Sequence, residues 1–367
     1  MRPDRISSCV AVLQPQGANR GMRSLAAIAV ACITEHARAL AVPGNIAYAS
    51  NYGSEMRIDQ AAFSSPLFWD QMEAALPTIW TDPELERFRG WVHNLRTEPS
   101  GKTAVLSTGQ EVLSQYMFPG LQDDDVTREA FPPIHELGWD QSLRAVAPFA
   151  QDELVTLLQA RPLVDDDAPP PTTDEELEDA AGEAWNKAAW YGWQFMSLRD
   201  AKPWMPKTIG ALRDCGLPAA HRFIGIARQR PKCEGTLHSD RRNYLLSTLT
   251  PLIVPSDGAC GVVVPGHGER ELHAAEPICL DNTFKHYVYN RGSIDRFVLM
   301  IECWHPALTA KERDALSTTF AVKDRFTLLS LKQCPWGFGE EELMKAIRAK
   351  QHFDLGFWRD PAHDLST

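Results

Sequence analysis

Between residues 245 and 304 the chain breaks into short, β-rich apolar runs separated by Gly, Pro, Asp and Ser. Residues 245–255, 261–265, 277–281 and 286–290 form four of these runs, and Arg296-Phe297-Val298-Leu299-Met300-Ile301-Glu302-Cys303-Trp304 forms a fifth. Runs of this length bounded by turn residues read as strands. So many in close succession predict a jelly roll or a related double-stranded β-helix. His221 to Arg228 reads as the first strand, and helical patterns flank the whole. The expected fold class is α+β: a double-stranded β-helix (jelly-roll) core with helical N-terminal and C-terminal packing.

Just ahead of the runs stands His238-Ser239-Asp240, and His286 opens the alternating run that ends at Asn290. In an extended strand, side chains at i and i+2 share a face, so His238 and Asp240 can reach one metal ion while Ser239 points away. His286 lies 48 residues on, enough for several strands to fold back and supply a third donor. Two imidazoles and one carboxylate are the set that holds non-haem Fe(II) on one face and leaves positions open. Arg296, at the mouth of the last strand, is placed to grip a carboxylate through two parallel hydrogen bonds. The bland reading is a surface dipeptide plus a satisfied histidine, and the strand-rich surroundings weigh against it.

Asp281-Asn282-Thr283-Phe284-Lys285-His286 and Trp304-His305-Pro306-Ala307-Leu308-Thr309, with Arg296 between them, resemble the aspartyl/asparaginyl β-hydroxylase family of 2-oxoglutarate-dependent oxygenases. Weaker likenesses lie upstream at Tyr116-Met117-Phe118-Pro119-Gly120 and Pro206-Lys207-Thr208. The resemblance implies Fe(II) as metal and 2-oxoglutarate as co-substrate, with His238 and His286 as iron ligands and Arg296 on the distal carboxylate of 2-oxoglutarate. It implies hydroxylation of an unactivated C–H, at the β-carbon of an Asp or Asn residue in a peptide or protein.

Two departures, at three positions, separate this chain from the animal enzymes of that family. Asp240 stands where they have Gly, which gives this chain a full His, Asp, His triad. Ser247 and Leu249 stand where they have an Arg and a His that help hold 2-oxoglutarate; the Ser247 hydroxyl is kept as a candidate contact. These departures leave open a free amino acid or secondary metabolite as substrate, and a non-catalytic jelly-roll binding protein as a different class.

The formal net charge of -11 disfavours binding to nucleic acid or an anionic membrane. No apolar stretch approaches the roughly 18 residues of a spanning helix, so no stable membrane span is expected in the mature chain. Residues 1–41 read as a targeting segment: Arg2, Arg5, Arg20 and Arg23 precede a short apolar run, and Ala39-Leu40-Ala41 resembles a cleavage site. Such a segment implies the secretory pathway or an organelle. The alternative is an amphipathic helix over 23–40 docked on the domain in a cytoplasmic protein. Residues 42–164 read as mainly helical, 165–181 as an acidic, Pro-rich loop, 182–310 as the oxygenase core and 311–367 as a helical extension, with helices over 309–320 and 339–350 and an aromatic tail. The aromatic stretch from Trp185 to Phe195 is expected to pack a helix onto the barrel.

The other polar residues have structural readings. His267 and His273 flank Gly268-Glu269-Arg270-Glu271, read as a hairpin tip, and His305 is assigned a structural hydrogen bond. The eight Cys show no CxxC and no zinc-like spacing. Cys215 and Cys233 bracket a link where secreted relatives have a bridge; buried free thiols account for them equally well.

Overall fold

A computed structural model describes residues 52–98, 101–121, 129–160, 193–201 and 204–331. The targeting segment, the acidic loop, Trp185, Trp190, the 339–350 helix and the aromatic tail lie outside the described residues.

Helices α1 (Tyr52–Phe63), α2 (Pro66–Ala75) and α3 (Glu86–Thr97) begin the described chain. Pro66 opens α2, where its missing N–H has no intrahelical partner to lose. On α3, Phe88, Trp91, Val92 and Leu95 recur at helical spacing and bury one face. That face joins Phe63, Phe68, Phe118 and Phe320 in an aromatic core. The longer helix α4 (Asp140–Ala160) and the short α5 (Leu198–Ala201) and α6 (Pro206–Asp214) lead toward the sheets. The last helix, α7 (Ala310–Phe326), starts at a capping box in which Thr309 and Glu312 each satisfy the other's backbone N–H.

The core is two antiparallel sheets. One has the order β3 (Trp193–Ser197), β4 (Ala219–Gln229), β11 (Arg296–Trp304), β6 (Leu245–Ile253), β9 (Ile278–Leu280). The other runs β5 (Cys233–Glu234), β10 (Tyr287–Asn290), β7 (Cys260–Val264), β8 (Gly268–Glu271). Residues from both sheets, including Ala227, Leu249, Val262, Val288 and Val298, form one buried apolar cluster with Phe284. Burial of each large apolar side chain stabilises by roughly 1.5–3 kcal/mol, so this cluster binds the sheets together.

Three expectations are corrected. The region read as helical contains a hairpin, β1 (Thr103–Val105) with β2 (Glu111–Leu113). Trp193–Ser197 is a strand, because pairing with β4 from Trp193↔Gln229 to Ser197↔Gly225 overrides the helical reading. Gly225 permits that pairing: a Cβ there would sit 2.2 Å from the Met196 carbonyl oxygen. Gly268–Glu271 is itself the exposed edge strand β8, and the turn falls before it at Gly266, whose φ is +83°. Charges along such an edge discourage further pairing.

Helix α6 ends just before Cys215, as expected, and β6 and β11 match the runs read from the sequence. Cys215, Cys233, Cys260, Cys279 and Cys303 are free thiols. Among the described residues, no helix is long and apolar enough to cross a membrane.

Candidate active site

His238 and His286 face each other across an isolated antiparallel bridge. Each backbone N–H donates to the other's carbonyl, at 3.0 and 2.8 Å. The rings lie side by side, with centroids 4.4 Å apart. His238 Nδ1 is 2.8 Å from the Thr236 carbonyl oxygen, and His286 Nδ1 is 2.9 Å from that of Phe284. A carbonyl oxygen only accepts, so both rings carry a proton on Nδ1, which leaves Nε2 as the atom a metal would take. Burial, then the neighbouring His238, lowers the His286 pKa to about 4, which keeps the ring neutral at neutral pH.

Asp240 is not in a regular strand. After the bridge its N–H bonds the Asn282 carbonyl at 2.7 Å, and the chain turns at once, because Arg241 takes a left-handed φ of +60°. Ser239 does point away, into a buried nest of carbonyls: its hydroxyl lies within 3.3 Å of the Glu111, Asn282 and Thr283 oxygens. The Asp240 carboxylate is drawn to two neighbours at Oδ2. Asn282 Nδ2 donates to it at 2.9 Å, and Arg222 Nη1 stands at 3.5 Å while also pairing with Glu302. Burial raises the Asp240 pKa, but the Arg222 guanidinium, with the His238 and His286 rings and Arg242, outweighs it and holds the carboxyl below its ordinary value.

These donors suit a divalent transition ion: two imidazoles and a carboxylate. Among the described residues, no three His, Cys, Asp or Glu side chains are already gathered as a metal cluster. The histidine pair is in place, with Asp240 tied beside it.

Arg296 and Ser247 lie at opposite ends of β11. Arg296 is fully buried on the face that carries Val298 and Met300, and burial lowers its pKa to about 10. Ser247 on β6 pairs with Glu302, six residues along β11 from Arg296. That is about 20 Å of strand, so the two cannot close on one carboxylate. Ser247 belongs with Asp240 instead, since its Oγ accepts from the same Asn282 Nδ2 at 2.5 Å.

Several residues around the site gave no signal of their own in the sequence. Glu302 was the lone acid in an apolar run, and Arg222 one of two arginines in the first strand. The β1–β2 hairpin braces both histidine-bearing segments: Glu111 N–H bonds the Thr283 carbonyl at 2.7 Å, and Leu113 N–H bonds that of Arg241 at 3.1 Å. Gln110 adds a bond to Asp281 at 2.7 Å. Burial raises the Asp281 pKa to about 6, against the hydrogen bonds from Thr283 and Gln110. His267 packs edge-on against Phe284, 4.6 Å between centroids, and His273 is exposed. His305 is structural as expected: its Nδ1 accepts from Ala307 N–H at 3.1 Å.

Residues 150–306 match the sequence model of the aspartyl/asparaginyl β-hydroxylase family. This region of the chain is similar to that family. The matched core is thus a hydroxylase core of the 2-oxoglutarate-dependent class, and the family implies Fe(II) and 2-oxoglutarate. The hairpin and the helices before residue 150 lie outside the match. No curated protein matches the chain.

Solved structures give fainter likenesses. A prolyl-4-hydroxylase from Pseudomonas putida is 18% identical over 35% of this chain and 82% of its own, with a TM-score of 0.22. An oxidoreductase of the 2OG-Fe(II) oxygenase family from Burkholderia pseudomallei is 16% identical over 30% and 55%, at 0.21. A cupin-superfamily sugar phosphate isomerase from Silicibacter pomeroyi is 18% identical over 33% and 64%, at 0.22. None of these scores reaches 0.5, and the family likeness rests on the sequence match.

Proposed function

We propose that this protein hydroxylates an unactivated C–H bond, with His238, Asp240 and His286 holding Fe(II) and Arg296 holding the distal carboxylate of 2-oxoglutarate. The observation that carries the reading is the bridged histidine pair, both Nδ1 atoms tied to backbone carbonyls, inside the family-matched core. In this reading the two sheets are the faces of a double-stranded β-helix, and residues 182–310 are the oxygenase core.

When bound, iron with 2-oxoglutarate supplies the oxidative chemistry, in which dioxygen hydroxylates the substrate while the co-substrate loses CO2 and becomes succinate. The chain's own residues supply placement. The carbonyls of Thr236 and Phe284 fix the imidazole tautomers. Arg296 orients the co-substrate by a bidentate grip on a planar carboxylate. The apolar cluster around Val262, Val288 and Val298 keeps water from the interior.

For the substrate, the family match favours the β-carbon of an Asp or Asn residue in a peptide or protein. A free amino acid or secondary metabolite is the second reading, favoured by Asp240, which stands where the animal peptide hydroxylases have Gly. The test is succinate release from the iron-loaded full chain with Asp- and Asn-containing peptides, free amino acids, or neither. Succinate coupled to gain of one oxygen atom by a peptide supports the first reading, and by a free amino acid the second. Iron-loaded protein that never forms succinate overturns both and favours a non-catalytic binder.

A further inference from the structure

The ladder between β11 and β4 carries a large irregularity beside the histidine pair. Ile301 pairs with Ile224 and Cys303 with Ala219, so the register advances two residues on β11 and five on β4. Bulges of this kind re-aim side chains and gather near active sites. This one holds Arg222 opposite Glu302, and the two form an ion pair that is buried on both sides. From there Arg222 Nη1 reaches to 3.5 Å of Asp240 Oδ2. On the other flank Asn282, itself bonded to Ser247, donates to the same Oδ2. Ser247 and Glu302 are cross-strand partners, so the ties meet again at β6 and β11. A buried ion pair adds little net stability over apolar residues of the same size, so stability alone does not account for this one.

We infer that Arg222 and Asn282 are positioning residues for Asp240: they hold its carboxylate through Oδ2 in the orientation that completes the metal set begun by His238 and His286. Glu302 fixes Arg222, and the bulge in β4 exists to bring that guanidinium to the site. The inference rests on the proposed iron site and deepens it. It assigns the third donor's geometry to residues that no metal would touch.

The test is anaerobic Fe(II) titration of the full chain, with and without 2-oxoglutarate, followed by the visible band of the chelate. The variants are Asn282→Ala, and Arg222→Met combined with Glu302→Gln so that Glu302 is not left as an unpaired buried charge. Each is expected to weaken Fe(II) binding roughly tenfold to a hundredfold, the usual reach of groups that orient metal ligands. Arg222→Lys, which keeps the charge, should recover part of the loss. In an Asp240→Ala background, adding Asn282→Ala should change nothing further, whereas a merely structural role would still lower metal-free stability and leave the coupling at zero.

Folded variants that bind Fe(II) as tightly as wild type overturn the inference, as does an Asn282→Ala loss that persists undiminished without Asp240. His286→Ala separates this failure from failure of the site itself. If wild type and His286→Ala bind iron equally, the proposed site is wrong. If only His286→Ala loses iron, the site stands and the positioning role falls.

Discussion

The Asp59–Lys323 pair in the helical shell and the Arg222–Glu302 pair in the core are both buried, yet they end differently. Asp59 has both oxygens engaged by the shell: Lys323 Nζ lies 2.8 Å from Oδ1 and the Tyr116 hydroxyl 2.5 Å from Oδ2. That set pins α1 to α7 and to the turn before the family-like Tyr116–Gly120 segment. Arg222 instead passes from Glu302 to a third group, Asp240, beside the histidine pair. A buried charge pair that stays within packed helices is a staple. One that extends to a carboxylate next to two imidazoles aims that carboxylate.

The sharpest way to break the comparison is to orphan the staple. Lys323→Met leaves Asp59 buried without its cation and should lower unfolding free energy by about 3–5 kcal/mol in urea denaturation. Fe(II) affinity of the folded variant should stay at the wild-type value. Adding Asp59→Leu should restore part of the stability, because Asp59 no longer lies buried without a cation while Asp324, 3.1 Å from Lys323 in the wild type, still does.

Arg296→Ala tests the far end of β11. Loss of a charge-assisted carboxylate contact of about 1.5–3 kcal/mol should weaken 2-oxoglutarate binding roughly tenfold to a hundredfold in calorimetric titration. Fe(II) binding without the co-substrate should be unchanged.

The shell also carries a pH dependence that the site does not need. His221 stacks on Phe320 with centroids 3.9 Å apart. Burial first, then the charges of Lys323, Arg242 and Arg222, push its pKa well below its ordinary value of about 6.5. The folded protein therefore holds His221 neutral while the unfolded chain takes up a proton below about pH 6.5, so stability falls as pH drops through that value. His221→Phe, which keeps the ring stack, should show a smaller stability loss between about pH 7.5 and pH 5.5 than wild type in denaturant melts.

The smallest effect is expected at Ser247. Because it sits with Asn282 and not with Arg296, Ser247→Ala should leave 2-oxoglutarate affinity within about threefold, a perturbation of at most about 0.65 kcal/mol. A loss as large as that of Arg296→Ala would put Ser247 back on the co-substrate carboxylate.

Much of this was legible in the chain. The runs over 245–255 and 296–304 are strands because β-branched and apolar residues are bounded there by turn residues, and their pairing as β6 and β11 follows from burial of both faces. The paired histidines were readable from spacing, since i, i+2 and a distant strand are local and topological facts. Less legible was anything set by long-range register. Arg222 reaches Asp240 only because β4 gains extra residues against β11, and no pattern within residues 219–229 announces that. The β1–β2 hairpin was hidden in a helical reading, though Ser107, Thr108 and Gly109 supplied its turn, because strands of three residues give too short a run to show a period. Trp193–Ser197 was misread for a related reason: its partner lies on β4, more than twenty residues on.

The most direct measurement is anaerobic addition of Fe(II) and 2-oxoglutarate to the full chain, watched for the weak visible charge-transfer band of the chelate in wild type, His286→Ala and Arg296→Ala. The proposed site predicts a band in wild type, none in His286→Ala, and a band that needs far more 2-oxoglutarate in Arg296→Ala. Iron demonstrably bound to wild type with no band at any 2-oxoglutarate concentration would contradict it and leave a metal-binding jelly roll without this chemistry.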